Sequence, residues 1–260
     1  VRSLLVILCL GSLAAGCLSP GEPLRHGTTA AASTGAASEQ APFAQASQAQ
    51  VRPGVPIHAP KRDCASNFLY STASGLLFLG STASCFRDMP VGTLVTVGGP
   101  ENIGFLAYSS KETMDEVGET DGNARNYNDF ALVFLDASVR PHANATLLGR
   151  SGPDGTADAS SLSTGDLVQQ HVDDGALPAW RDALVTGKAG DWALLTRSPL
   201  PAAPGQMGGA VVDPQGRAVG VVVNLGVAPN PGANGVARLD ALLAYASEHA
   251  GMQLSLVSAS

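Results

Sequence analysis

Three hydroxyls stand together in the segment GSTAS, as Ser81, Thr82 and Ser84. A hydroxyl becomes a useful nucleophile only beside a group that takes its proton, most often an imidazole. The chain has five histidines, His26, His58, His142, His171 and His249, and none lies beside a serine in a recognisable motif. His26 and His58 fall in or at the edge of a low-complexity stretch, His142 follows Pro141 in a loop, His171 ends a strand-like run before two aspartates, and His249 lies near the C-terminus. All five read as surface histidines. The acidic run ETDGN, Glu119 to Asn123, with Asp115 and Glu116 upstream, offers oxygen atoms of the kind that bind calcium. It lacks the twelve-residue spacing of a helix–loop–helix site and reads as a solvated loop. No local Cys/His set offers four ligands at the usual spacings, so no metal is expected, and no cofactor motif is present. Asn144 to Thr146 forms an N-x-T triplet, an acceptor pattern for N-glycosylation that carries no weight by itself. Trp180 and Trp192 read as core residues.

The elements that would position any such chemistry follow from the apolar runs. NFLYSTA and LLFLG read as two strands separated by Ser74 and Gly75, a tight hairpin. TLVTVGG, IGFLAYSS, DFALVFLD, DLVQQH, DWALLTR, GGAVVD and RAVGVVV follow. The last two are joined at Pro214 to Gly216, a turn signal. Many short strands between turns predict a sandwich or barrel, and no βαβ rhythm argues for a parallel sheet. One helix is expected. RLDALLAYASEHA places Leu239, Leu242, Leu243 and Ala246 on one face, with Asp240 in its first turn and Gly251 as its stop. A last short strand is possible in MQLSLVS.

The N-terminus has a different character. Arg2, the apolar stretch Leu4 to Leu13 and the small residues Ala14, Ala15 and Gly16 have the layout of a secretory signal. The apolar run falls short of the roughly 20 residues a transmembrane helix needs. The junction LAAGC resembles a bacterial lipobox, which implies cleavage after residue 16 and a lipid on Cys17. Ordinary secretion is the alternative. Residues 17–60, rich in Ala, Ser, Gln, Gly and Pro, read as a disordered tether. Residues 61–260 then remain as one substantial domain. The net charge is -7 and there is no basic run, which excludes a nucleic-acid surface. Charged residues make up only 14% of the chain, with abundant Gly and Pro, which suits a loop-rich β domain. Export also permits a disulfide between the two cysteines left in that domain, Cys64 and Cys85.

Three segments in order resemble the chymotrypsin/trypsin-like serine peptidase family, in its secreted bacterial branch. They are the run from Cys64 through SGLLFLGSTASC to Cys85, the run YNDFALVFLD, and the run PGQMGGAVVDPQGRAVGVVV. The resemblance extends from Cys64 to the terminal helix. It implies an all-β fold of two six-stranded antiparallel β-barrels with a C-terminal helix and a cleft between the barrels. It also places the family's catalytic positions on this chain. Ser84 stands where the family has its histidine, Asp129 where it has its aspartate, and Met207 where it has its nucleophilic serine. Gln206 replaces the aspartate before the nucleophile. The family's oxyanion-hole backbone N–H groups would be those of Gly205 and Met207. An imidazole is what moves the proton in such a triad, and a methionine thioether has no proton to lose. The resemblance therefore implies a catalytically inactive homologue on the cell envelope, binding a peptide or protein in the inter-barrel cleft and held to a membrane through Cys17. An active hydrolase with atypical residues and a structural envelope lipoprotein are the alternatives. The sequence gives no oligomeric state.

Overall fold

The computed structural model describes residues 40–173, 178–199, 207–225 and 232–259. The expected signal, the lipid-bearing Cys17, the tether as far as residue 39, Gly205 and Gln206 all lie outside the described residues. Gln40 to Ser260 form one compact unit.

In chain order the strands of the first half are β1 (Ile57–Ala59), β2 (Arg62–Cys64), β3 (Leu69–Ser71), β4 (Leu77–Ser81), β5 (Leu94–Val97), β6 (Gly99–Ser109) and β7 (Ala131–Leu135). Helices α1 (Ser110–Val117) and α2 (Gly122–Tyr127) separate β6 from β7. The second half contains β8 (Leu167–Asp173), β9 (Pro178–Ala189), β10 (Ala193–Arg197), β11 (Ala210–Val212), β12 (Ala218–Asn224) and β13 (Asn234–Arg238). Helix α3 (Leu239–Ala250) and β14 (Ser255–Leu256) end the chain.

All paired strands are antiparallel, and they build two modules. The first is an eight-stranded sheet in the order β14-β3-β4-β7-β6-β5-β1-β2, and the second is a closed barrel in the order β10-β13-β12-β11-β8-β9. The second matches the expected six-stranded barrel. The first differs from it, because the β1–β2 hairpin lies at one edge and β14 at the other. One core cluster fills the first module, with Ile57, Leu79, Val97, Leu106, Val133 and Leu135 among its members. Another fills the barrel around Val168, Val185, Val211, Val222 and Val236. A third cluster joins the modules and takes in Phe68, Tyr70, Phe130, Val212 and α3. The barrel wall is tight where β12 meets β13. A Cβ on Gly220 would sit 2.0 Å from the Ala237 carbonyl oxygen, so only glycine lets the two backbones approach there.

The expected tether boundary at residue 60 is too late by twenty residues. Val51 and Ile57 are fully buried and Val55 nearly so. Val51 N–H donates to the His142 carbonyl, Asn144 N–H donates to the Val51 carbonyl, and the Ser66 hydroxyl bonds both Gly54 N–H and the Val55 carbonyl. These few apolar residues reach the core only through partners far along the chain, which a local reading does not contain.

The acidic run is largely exposed. It closes α1 and opens α2. Asp121 caps α2 by accepting from Asn123 N–H, and its other oxygen accepts from the Trp192 indole. Glu119 accepts from the N–H groups of Asp121 and Thr120, which holds its carboxyl below the usual carboxylate range. Among the described residues no group of three or more His, Cys, Asp or Glu converges as a metal site. Both tryptophans are half-buried and use their indole N–H groups, Trp180 donating to the Leu148 carbonyl. Helix α3 buries Leu239, Leu242, Tyr245 and Ala246, and Gly251 ends it in the left-handed region at φ 67°. Among the described residues no helix is long and apolar enough to cross a membrane.

Candidate functional site

Strand β4 runs into a single turn of 3-10 helix, Ala83–Phe86. Antiparallel pairing of Ser81 with Ala131 brings the residues after β4 beside those before β7. Asp129 therefore faces the turn, and its Oδ1 accepts a 2.7 Å hydrogen bond from the Ser84 backbone N–H. The carboxylate is almost wholly buried. Its own backbone is fixed on both sides, because the Ser110 hydroxyl donates to the Asn128 carbonyl and accepts from Phe130 N–H. The disulfide Cys64–Cys85, with a Cα–Cα distance of 5.8 Å, ties β2 to the same turn.

Met207 approaches from the second module. Its neighbour Gly208 donates its N–H to the Val222 carbonyl, and Val222 N–H donates to the Gly209 carbonyl. This anchors the loop to β12. Gly208 has φ +100°, and a Cβ there would lie 2.8 Å from the Ala65 carbonyl oxygen, so glycine is required on both counts. From the first module the buried Asn67 reaches across. Its Nδ2 donates to the Gly208 carbonyl at 3.3 Å, and its Oδ1 accepts from Phe68 N–H and the Tyr70 hydroxyl. Burial pushes the Tyr70 phenol well above its ordinary value, so it remains a donor to Asn67. Asn67 is a positioning residue that sequence reasoning missed. Only its place, a lone amide two residues before a β-strand, marks it.

Together Arg62, Asp63, Ala65, Thr82, Ser84, Cys85 and Met207 line a cavity of about 210 Å³. The structure thus brings Ser84 and Met207 to one cleft and attaches Asp129 to it through the Ser84 N–H. Thr82 Oγ1 is buried in this wall with no protein partner among the described residues. Among the described residues no imidazole lines the cavity. His142 is exposed, His249 stacks on Tyr245 at 4.2 Å, and His171 is buried against Trp180 and close to Gly54. His58 differs from its expected place at the tether's edge. It sits on β1, and its Nδ1 lies 2.8 Å from Oδ1 of Asp63, whose residue lines the cavity.

Among the described residues the cavity presents two hydroxyls, a thioether, one exposed carboxylate and one guanidinium. A hydroxyl without a base beside it does not attack a carbonyl at a useful rate.

No protein-family model matches the chain, and no curated protein matches it. Solved structures do. A Nocardiopsis protease is 18% identical with a TM-score of 0.52, covering 79% of this chain and 98% of its own. Thermobifida fusca protease A is 17% identical with a TM-score of 0.53, covering 80% and 98%. Cellulomonas bogoriensis chymotrypsin is 18% identical with a TM-score of 0.51, covering 80% and 98%. A likeness at this identity speaks for architecture alone, and together with the sheet, the closed barrel and α3 it shows that the chain has the chymotrypsin-like double β-barrel fold with a C-terminal helix.

Proposed function

We propose that this protein is a catalytically inactive homologue of the trypsin-like serine proteases, exported and held at the cell envelope by a lipid on Cys17, and that its inter-barrel cleft binds an extended peptide or a protein loop. The observation that carries the reading is the composition of the cleft. Ser84 and Met207 face one cavity, Asp129 is engaged by a backbone N–H, and no imidazole among the described residues lines the space. Fold and chemistry are separable, because function lives in the site rather than in the fold that carries it. A peptide bound there is expected to shift the amide resonances of Ala65, Thr82 and Ser84 in a two-dimensional NMR titration. The variant Met207→Trp, which fills the cavity, is expected to weaken that binding at least tenfold. Shifts that ignore the cavity residues, or binding unchanged by Met207→Trp, would place the ligand elsewhere.

A second reading rests on a specific contact. The His58–Asp63 pair at the cleft wall is an imidazole and carboxylate in hydrogen-bond contact, the arrangement that orients a base. Both side chains are largely exposed and His58 does not line the cavity, so the pair is better suited to fixing the β1–β2 hairpin than to activating Ser84.

A further inference from the structure

The outer face of the first sheet carries a row of apolar side chains in cross-strand register. Tyr70 pairs with Phe78, Phe78 with Phe134, Phe134 with Phe105, and Phe105 with Leu94. Phe78–Phe134 and Phe134–Phe105 are in ring contact at 5.6 and 4.9 Å. At one end the row is covered, because Tyr70 and Phe78 belong to the cluster that joins the modules and Leu256 packs on it. Toward β5 the cover ends. Phe105 is 39% exposed and Leu94 66%, and Ile103, one pleat further along β6, is 52% exposed. Antiparallel sheets ordinarily present polar residues on an uncovered face. Five of the eight large exposed apolar residues among those described, Leu76, Val91, Leu94, Ile103 and Phe105, lie in this sheet or in the turns that flank its strands.

Two observations bear on what covers this face. The first is where the preceding chain enters. The Gln40 amide donates to the Ser74 carbonyl at the β3–β4 turn. The pairs Leu77–Leu135 and Leu135–Gly104 put that turn at the same end of the sheet as the protruding β5–β6 hairpin that carries Ile103 and Phe105. Leu18 to Glu39, 22 residues, separate Cys17 from that point. Such a span reaches at most about 75 Å, so a lipid on Cys17 would keep this end of the sheet within that distance of the bilayer. The second is size. Leu94, Ile103 and Phe105 expose roughly 300 Å², against about 800 Å² per partner in a stable protein interface. A second copy would bury too little, whereas a few apolar side chains suffice as a second membrane contact beside a lipid chain.

We infer that Leu94, Ile103 and Phe105 form a membrane-contact face that inserts at the headgroup–acyl boundary of the bilayer carrying the anchor. The inference rests on the proposed lipid at Cys17. Docking by this face orients the domain and holds its cleft at a fixed height over the lipid.

The test uses the lipidated chain in vesicles of phosphatidylethanolamine, phosphatidylglycerol and dibrominated phosphatidylcholine. A fluorophore is placed by Ile103→Cys or by Leu184→Cys, a similarly exposed apolar position on the closed barrel. At least threefold stronger quenching by the brominated lipid at position 103 than at 184 is expected, and Leu94→Asp with Phe105→Asp is expected to abolish the difference while the chain still sediments with vesicles. Equal, weak quenching at both positions overturns the inference. So does a concentration-dependent dimer that shields position 103 without lipid, since a second copy would then occupy the face. The mass of Cys17 is measured separately. A chain without lipid there is given the same quenching test in a Cys17→Ser background at millimolar lipid, so failure of the anchor and failure of the face are distinct results.

Discussion

The double variant Ser84→His with Met207→Ser is expected to hydrolyse an activated ester at least about 100-fold faster than the wild-type protein. Positioned general bases contribute factors of roughly 10² to 10⁴. The gain is expected because the carboxylate of the arrangement is already held beside position 84. Asp129 is buried and held through its Oδ1 by the N–H of residue 84, and its Oδ2 has no protein donor among the described residues. An imidazole installed at position 84 therefore arrives beside an orienting carboxylate, and a hydroxyl at position 207 arrives in the same cavity. Each single variant is expected to stay near the wild-type rate, because base and nucleophile act as a unit. Stopped-flow release of p-nitrophenol reads the result. A double variant as silent as the wild type, while retaining its fold by circular dichroism, would mean that positions 84 and 207 do not meet in a productive geometry.

The second large effect concerns stability. Replacing both Cys64 and Cys85 by alanine is expected to destabilise the folded unit by about 3 kcal/mol, the chain-entropy value for a loop of this length. For a domain of this size that lowers Tm by roughly 10 °C. The bond joins β2, an edge strand paired only with β1, to the turn that presents Ser84. Its loss should therefore loosen the cleft wall before the barrel, with hydrogen exchange rising first at Arg62 to Ala65 and Ala83 to Phe86. Urea denaturation of the two proteins measures the difference. A change under about 1 kcal/mol would show that the wall is held by the Asp129–Ser84 bond and by packing of Phe86 instead.

What could be read from the residues alone was what is local. The runs at β4, β7, β11 and β12 are dense in apolar residues and bounded by turn signals, and α3 has both a helical period and a glycine stop. The cysteine pair was legible for the same reason. Elements that depend on distant partners were not. The segment VRPGVPIHAP looks like its Ala/Pro-rich surroundings, yet Val51, Val55 and Ile57 complete the first core because Ala143 and Leu148 meet them there. Helix α1 is mostly polar and is docked chiefly by Met114 and Thr113, too little for a periodic pattern. Strand β9 alternates Ala183 and Val185 inward with Leu184 and Thr186 outward, but its charged residues mask the alternation. In the cleft, Ser84, Asp129 and Met207 could be singled out because their segments carry a motif. Asn67 and the His58–Asp63 pair could not, since their roles arise from contacts between separate strands.

The central claim is that the cleft has, among the described residues, no group able to attack a carbonyl. The most direct measurement is the intact mass of the wild-type folded chain after prolonged exposure to a fluorophosphonate probe, alongside the Ser84→His/Met207→Ser variant. The account predicts no adduct on the wild-type protein and a single adduct at position 207 of the variant. A stoichiometric adduct on one wild-type residue, abolished by His58→Ala, would contradict it and identify the His58–Asp63 pair as a working base.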